Sequence, residues 1–123
     1  MKNIFFLWKD APFYAVYIIK NLIDNSKYKI KLITKIDRKN YFQYKKILKE
    51  NIINTGGKTY SSWDKLKLEI PDVLFVSGWK YKEFKSLINY SKSKKIKIVS
   101  MIDNNEKKNF RQLIGKYIFN TFF

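Results

Sequence analysis

The side chains that most often carry chemistry are scarce in this sequence. It contains no histidine and no cysteine, which excludes imidazole metal sites, His-based triads, thiolate nucleophiles and a disulfide framework. The glutamates Glu50, Glu69, Glu83 and Glu106 sit in separate segments and form no acid/base pair. Two short clusters and one pair remain: Ser77-Gly78-Trp79, Asp103-Asn104-Asn105, and Lys9-Asp10. Gly78 lets the chain turn tightly. Trp79 offers an indole that either stacks on the apolar face of a sugar or another ring, or packs beneath the following helix. Asp103 suits the start of a helix, where its carboxylate accepts amide hydrogen bonds, a role that leaves ligand contact open. Gly56-Gly57-Lys58-Thr59 echoes a phosphate-cradling loop but lacks the upstream glycine, and reads as a turn.

Short apolar runs alternate with longer amphipathic ones along the whole chain and give these residues their positions. Asn3 to Trp8 is a continuous apolar run of strand length, followed by a helix start at Asp10-Ala11-Pro12 and a helix to about Asn25. Asp10 is expected to cap that helix. Tyr28 to Ile36 alternates as a half-covered strand near an edge. Tyr41 to Glu50 repeats apolar residues at helical spacing, and Ile52 to Thr55 forms a short third strand ended by Gly56-Gly57. Ser61-Ser62-Trp63-Asp64 resembles a capping box opening a short helix to about Glu69. After a polar turn at Asp72, Val73 to Val76 is wholly apolar, as a central parallel strand should be. Trp79 to Lys94 carries Phe84, Leu87, Ile88 and Ser91 on one helical stripe, Ile96 to Ile102 reads as a fifth strand, and a last helix follows Asp103.

Strands alternating with crossover helices imply one α/β domain over residues 1–123: a Rossmann-like, doubly wound parallel sheet of about five strands with helices on both faces. Ligands of such sheets bind beyond the carboxyl ends of the strands, where the strand order reverses. That rule nominates Lys9, Asp10, Ser77, Gly78, Trp79, Asp103 and Asn104. Two familiar variants fail. A dinucleotide site needs glycines after the first strand, where the chain reads Trp8-Lys9-Asp10-Ala11-Pro12; a phospho-acceptor receiver needs an aspartate after the third strand, where Asn54 stands.

The net charge of +16 by itself points to nucleic acid or an anionic surface. Composition argues for a blander origin. Lys, Ile, Asn, Phe and Tyr, the residues of AT-rich coding sequence, make up more than half of the chain, and Arg38 and Arg111 are the sole arginines. Arginine is the preferred fork for phosphates and bases. The lysines are therefore expected to scatter over solvated faces and to give weak, non-specific nucleic-acid binding. The apolar run from Pro12 to Ile19 is closed by Lys20, too short to span a membrane. The N-terminus lacks the apolar stretch of a signal peptide, so a cytoplasmic location is expected.

The succession Pro71-Asp72-Val73-Leu74-Phe75-Val76-Ser77-Gly78-Trp79, then Val99-Ser100-Met101-Ile102-Asp103-Asn104-Asn105, then Phe110-Arg111-Gln112, resembles the N-terminal half of retaining glycosyltransferases with two Rossmann-like domains, the GT-B architecture. The resemblance covers essentially the whole chain. It implies an acceptor-side domain that holds a sugar or lipid-linked acceptor, while a second Rossmann-like domain binds the nucleotide sugar and carries a glutamate pair. It implies no cofactor in this chain and no catalytic residue: the chain stops before that second domain, and alone it is expected to be inactive. The first turn departs from the family's glycine-rich loop. Apolar surface around Ile118, Phe119, Phe122 and Phe123 is expected to promote self-association.

Two other classes stay open. One is a basic nucleic-acid-binding module. The other is a peripheral membrane protein, with the last helix supplying Lys107, Lys108, Arg111 and Lys116 among Phe110, Tyr117, Phe119, Phe122 and Phe123.

Overall fold

The computed structural model describes residues 2–77 and 82–101. Strand β1, Asn3–Lys9, is buried from Asn3 through Trp8, as a parallel strand covered on both faces must be. Helix α1, Phe13–Asn25, follows and buries Ala15, Val16, Ile19 and Leu22 at helical spacing. Strand β2, Lys29–Lys35, leads to helix α2, Arg38–Leu48. Asp37 caps α2 by accepting from the Asn40 amide at 2.8 Å. A 3-10 turn, Lys49–Asn51, precedes the short strand β3, Ile52–Asn54.

The return connection begins with a tight turn. Gly56 and Gly57 have φ of 63° and 84°, left-handed values that glycine adopts without a Cβ penalty. The Lys58 amide closes the turn on the Thr55 carbonyl at 3.1 Å. A second 3-10 turn, Trp63–Leu66, strand β4, Val73–Ser77, helix α3, Lys82–Ser93, and strand β5, Lys97–Ser100, complete the described chain.

All neighbouring strands pair in parallel, in the order β3-β2-β1-β4-β5. The chain winds outward from β1 to β3, returns to the other side of β1, and winds outward again. Right-handed crossovers then force the two halves onto opposite faces. Ile4, Phe6 and Trp8 of β1 pack with α1 and α2, whereas Phe5 and Leu7 pack with Trp63 and with Phe84, Leu87 and Ile88 of α3. The alternation of one strand thus feeds two cores.

The doubly wound parallel sheet is as the sequence implies, and Phe5, Ile30, Leu74 and Ile98 all lie in its strands. Four details differ. The middle strand is β1, while Val73–Ser77 is interior beside it. Asp10 does not cap α1: the cap position is Pro12, and no side chain bonds there. The Ser61-Ser62-Trp63-Asp64 segment opens only the 3-10 turn Trp63–Leu66, whose cap residue, Ser62, makes no capping bond. β5 is shorter than Ile96 to Ile102. The expected last helix lies outside the described residues, as do Ile102 and the apolar positions from Ile118 to Phe123.

Candidate ligand site at the carboxyl edge

The strand order reverses between β1 and β4, so the switch point lies at their carboxyl ends. Trp8 and Ser77 are register partners there. Lys9 ends β1, exposed Asp10 follows it, and Ser77 is the last residue of β4, buried at 2% exposure. Three of the seven nominated residues, Lys9, Asp10 and Ser77, are thus brought to one place. Gly78, Trp79, Asp103 and Asn104 lie outside the described residues.

The turn after β1 is built on an unusual backbone. Asp10 has φ of 50°, a left-handed conformation that costs a non-glycine residue roughly 1–2 kcal/mol, least for Asp and Asn. Its amide donates to the Lys35 carbonyl at 3.0 Å. The next amide, of Ala11, donates to Thr34 Oγ1 at 3.4 Å, and the Tyr44 hydroxyl donates to the Ala11 carbonyl at 2.9 Å. All three bonds run to β2 and α2, so the end of one strand is fixed by its neighbour and by the helix above. Burial, and secondarily the charge of Asp37, push the Tyr44 hydroxyl above its ordinary pKa. It is therefore a standing donor at neutral pH.

Sequence reading missed Thr34 and Tyr44, because their role depends on what folds against them. It also missed two buried oxygens without a hydrogen-bond partner, Thr55 Oγ1 and Glu83 Oε2. Thr55 directly follows β3 and Glu83 occupies the first turn of α3 after β4, so both belong to the carboxyl-edge side. Buried polar atoms are normally satisfied, and these two are enclosed by the protein itself. No sequence signal marks them.

A separate cleft of about 460 Å³ opens at the other end of the strands, lined by Asn3, Lys29, Lys31, Lys67 and Glu69 among others. Two of its polar residues, Asn3 and Glu69, are engaged in closing the sheet. Asp72 Oδ2 accepts from the Asn3 amide at 2.7 Å, and Asp72 donates its amide to the Asn3 carbonyl at 2.8 Å. Asn3 Nδ2 donates to Glu69 Oε2 at 3.0 Å. Asp72 is the polar turn before a buried strand that the sequence suggests. Asp64, held below the usual carboxylate range chiefly by the Ser62 hydroxyl, belongs to the local chemistry of its 3-10 turn.

Among the described residues no three metal-ligating side chains cluster, and no helix is long and apolar enough to cross a membrane. Exposed lysines occur on α2, on α3 and in the loops and turns between strands. No family model, curated protein or solved structure matches the chain.

Proposed function

We propose that the chain is the acceptor-side domain of a GT-B glycosyltransferase, holding a glycan or lipid-linked acceptor at the carboxyl edge between β1 and β4. The observation that carries this reading is the β3-β2-β1-β4-β5 order, whose single reversal sets Lys9, Asp10 and Ser77 side by side. The sequence continues from Ser77 into Gly78-Trp79, a glycine and an indole suited to a sugar's apolar face.

In this reading the domain contributes orientation. Holding the acceptor hydroxyl in place converts a bimolecular encounter into a positioned one. The donor phosphates, and the charge that develops as the sugar leaves them, are handled by a second Rossmann-like domain.

The test is a radiolabelled nucleotide-sugar assay, for transfer and hydrolysis, on the 123-residue chain, alongside a glycan array probed with wild type and Trp79→Ala. The expected result is no turnover, with array binding weakened at least about tenfold by the loss of a stacking ring. Robust turnover abolished by Asp103→Ala would move the chemistry into this chain. A silent array together with tight, salt-resistant, sequence-selective duplex binding would replace the reading by the nucleic-acid one.

A further inference from the structure

The outer surface of α1 and α2 carries large rings that the fold leaves in water. Phe13 is 49% exposed, Tyr17 53% and Phe42 52%. They are not scattered singly. Phe13 stands edge-on to Tyr17 at 4.9 Å and tilts against Tyr44 at 5.9 Å, so it bridges the two helices, while Phe42 lies beside Tyr41 at 6.1 Å. Tyr41 and Tyr44 are one turn apart on α2, with Tyr44 buried beneath the surface.

On this surface α2 carries the positive charge, with exposed Asp37 at its cap, whereas Lys20 of α1 is paired with Asp24 at 3.0 Å. Arg38–Leu48 contains Arg38, Lys39, Lys45 and Lys46 and no acidic residue. The Arg38 guanidinium sits 5.4 Å from the centre of the Phe42 ring, and Lys45 Nζ sits 5.4 Å from that of Tyr41. Rings and cations are therefore interleaved, and each exposed ring lies beside a charge or a hydroxyl.

We propose that this α1–α2 face docks on an anionic lipid bilayer, with Phe13, Tyr17 and Phe42 entering the headgroup boundary and Arg38, Lys39 and Lys46 meeting the lipid charge. The occupant follows from complementarity. A protein partner of ordinary composition would leave these cations unpaired, whereas an anionic bilayer supplies both an apolar layer for the rings and a sheet of negative charge above it. Tyrosine suits that boundary because its body is apolar and its tip polar. Phe13 and Arg38 are the first residues of their helices, which follow β1 and β2, so the surface borders the carboxyl edge. It stands independently of the acceptor reading.

The experiment is vesicle flotation of the full chain with phosphatidylcholine vesicles, with and without phosphatidylglycerol, at physiological salt. Three double variants are compared after circular dichroism confirms folding: Phe13→Ser/Phe42→Ser, Arg38→Glu/Lys46→Glu, and Lys85→Glu/Lys92→Glu on α3, across the sheet. The expected result is binding that requires the anionic lipid and falls at least about tenfold in the first two variants, with the α3 pair close to wild type. Vesicle binding that survives the ring substitutions, or falls equally in the α3 variant, would overturn the proposal by reducing it to diffuse charge. Tighter binding to a mixed-sequence duplex than to vesicles, lost with the same substitutions, or a dimer that dissociates with them, would overturn it as well.

Discussion

Tyr44 on α2 donates its hydroxyl proton to the carbonyl of Ala11, 33 residues earlier, at 2.9 Å in a buried setting. The bond fixes the turn by which the chain leaves the middle strand, and it is one of three that hold Lys9 and Asp10 at the switch point. Tyr44→Phe keeps the ring and removes the donor, leaving a buried carbonyl unsatisfied. It should lower stability by about 1–2 kcal/mol, read from the midpoint of urea unfolding.

The same residue predicts an alkaline effect. Its folded-state pKa lies above the ordinary value near 10, so the folded protein holds this proton more tightly than the unfolded chain. The contribution is complete below pH 10 and is lost as pH rises through the folded value. The measurement is the difference between Tyr44→Phe and wild type: the stability gap should narrow above pH 10 and stay constant from pH 7 to 9.

Trp63 is wholly buried, stands edge-on to Phe5 at 5.2 Å, and donates its indole N–H to Ser91 Oγ at 2.9 Å. Ser91 in turn donates to the Leu87 carbonyl at 2.8 Å. Trp63→Ala should cost about 3–5 kcal/mol. Ser91→Ala strands the indole N–H and should cost about 1–3 kcal/mol, and the double variant should lose less than the sum of the two singles in a denaturation cycle.

Much of this fold is legible in the sequence because its strands are short apolar runs. Val73 to Val76 and Ile4 to Trp8 are apolar throughout, so each reads as doubly covered, but that signal cannot order them, and β1 proves to be the middle strand. The stripe of Phe84, Leu87, Ile88 and Ser91 is found buried as its spacing implies, since helical period is a local property. Trp63 shows the opposite. It lies in a polar stretch resembling a capping box, and only the long return from β3 to β4 reveals it as the plug of the second core. Asp10 fails as a cap for a similar reason: its amide is drawn to the Lys35 carbonyl, a contact made by another strand. At the carboxyl edge, the topology puts Lys9, Asp10 and Ser77 at neighbouring strand ends, while Thr34, Thr55 and Glu83 need the folded edge.

At Asp10 the left-handed backbone makes residue choice testable. Asp10→Gly should leave stability unchanged or raise it by up to about 1 kcal/mol, whereas Asp10→Val should lower it by about 1–2 kcal/mol, because a β-branched residue is poorly tolerated at positive φ. Equal stability of the two variants in thermal unfolding would show that the turn relaxes to a different conformation.

The dispersal of exposed lysines predicts duplex binding of a particular kind. Electrophoretic binding to mixed-sequence DNA should be weak and should vanish as salt rises, since it reflects counterion release alone. Substituting two lysines on any one element should change it little.

The proposed ligand recognition at the carboxyl edge between β1 and β4 is open to a direct measurement. Amide chemical-shift mapping of the isotopically labelled chain, titrated with octyl glucoside and octyl N-acetylglucosaminide below their micellar concentrations, tests it directly. The expected shifts centre on Lys9, Asp10, Ala11, Ser77, Gly78 and Trp79, with the amides of Asn3, Lys29 and Lys67 unmoved. Shifts centred instead on Asn3, Lys29 and Lys67, at the opposite end of the strands, would contradict it.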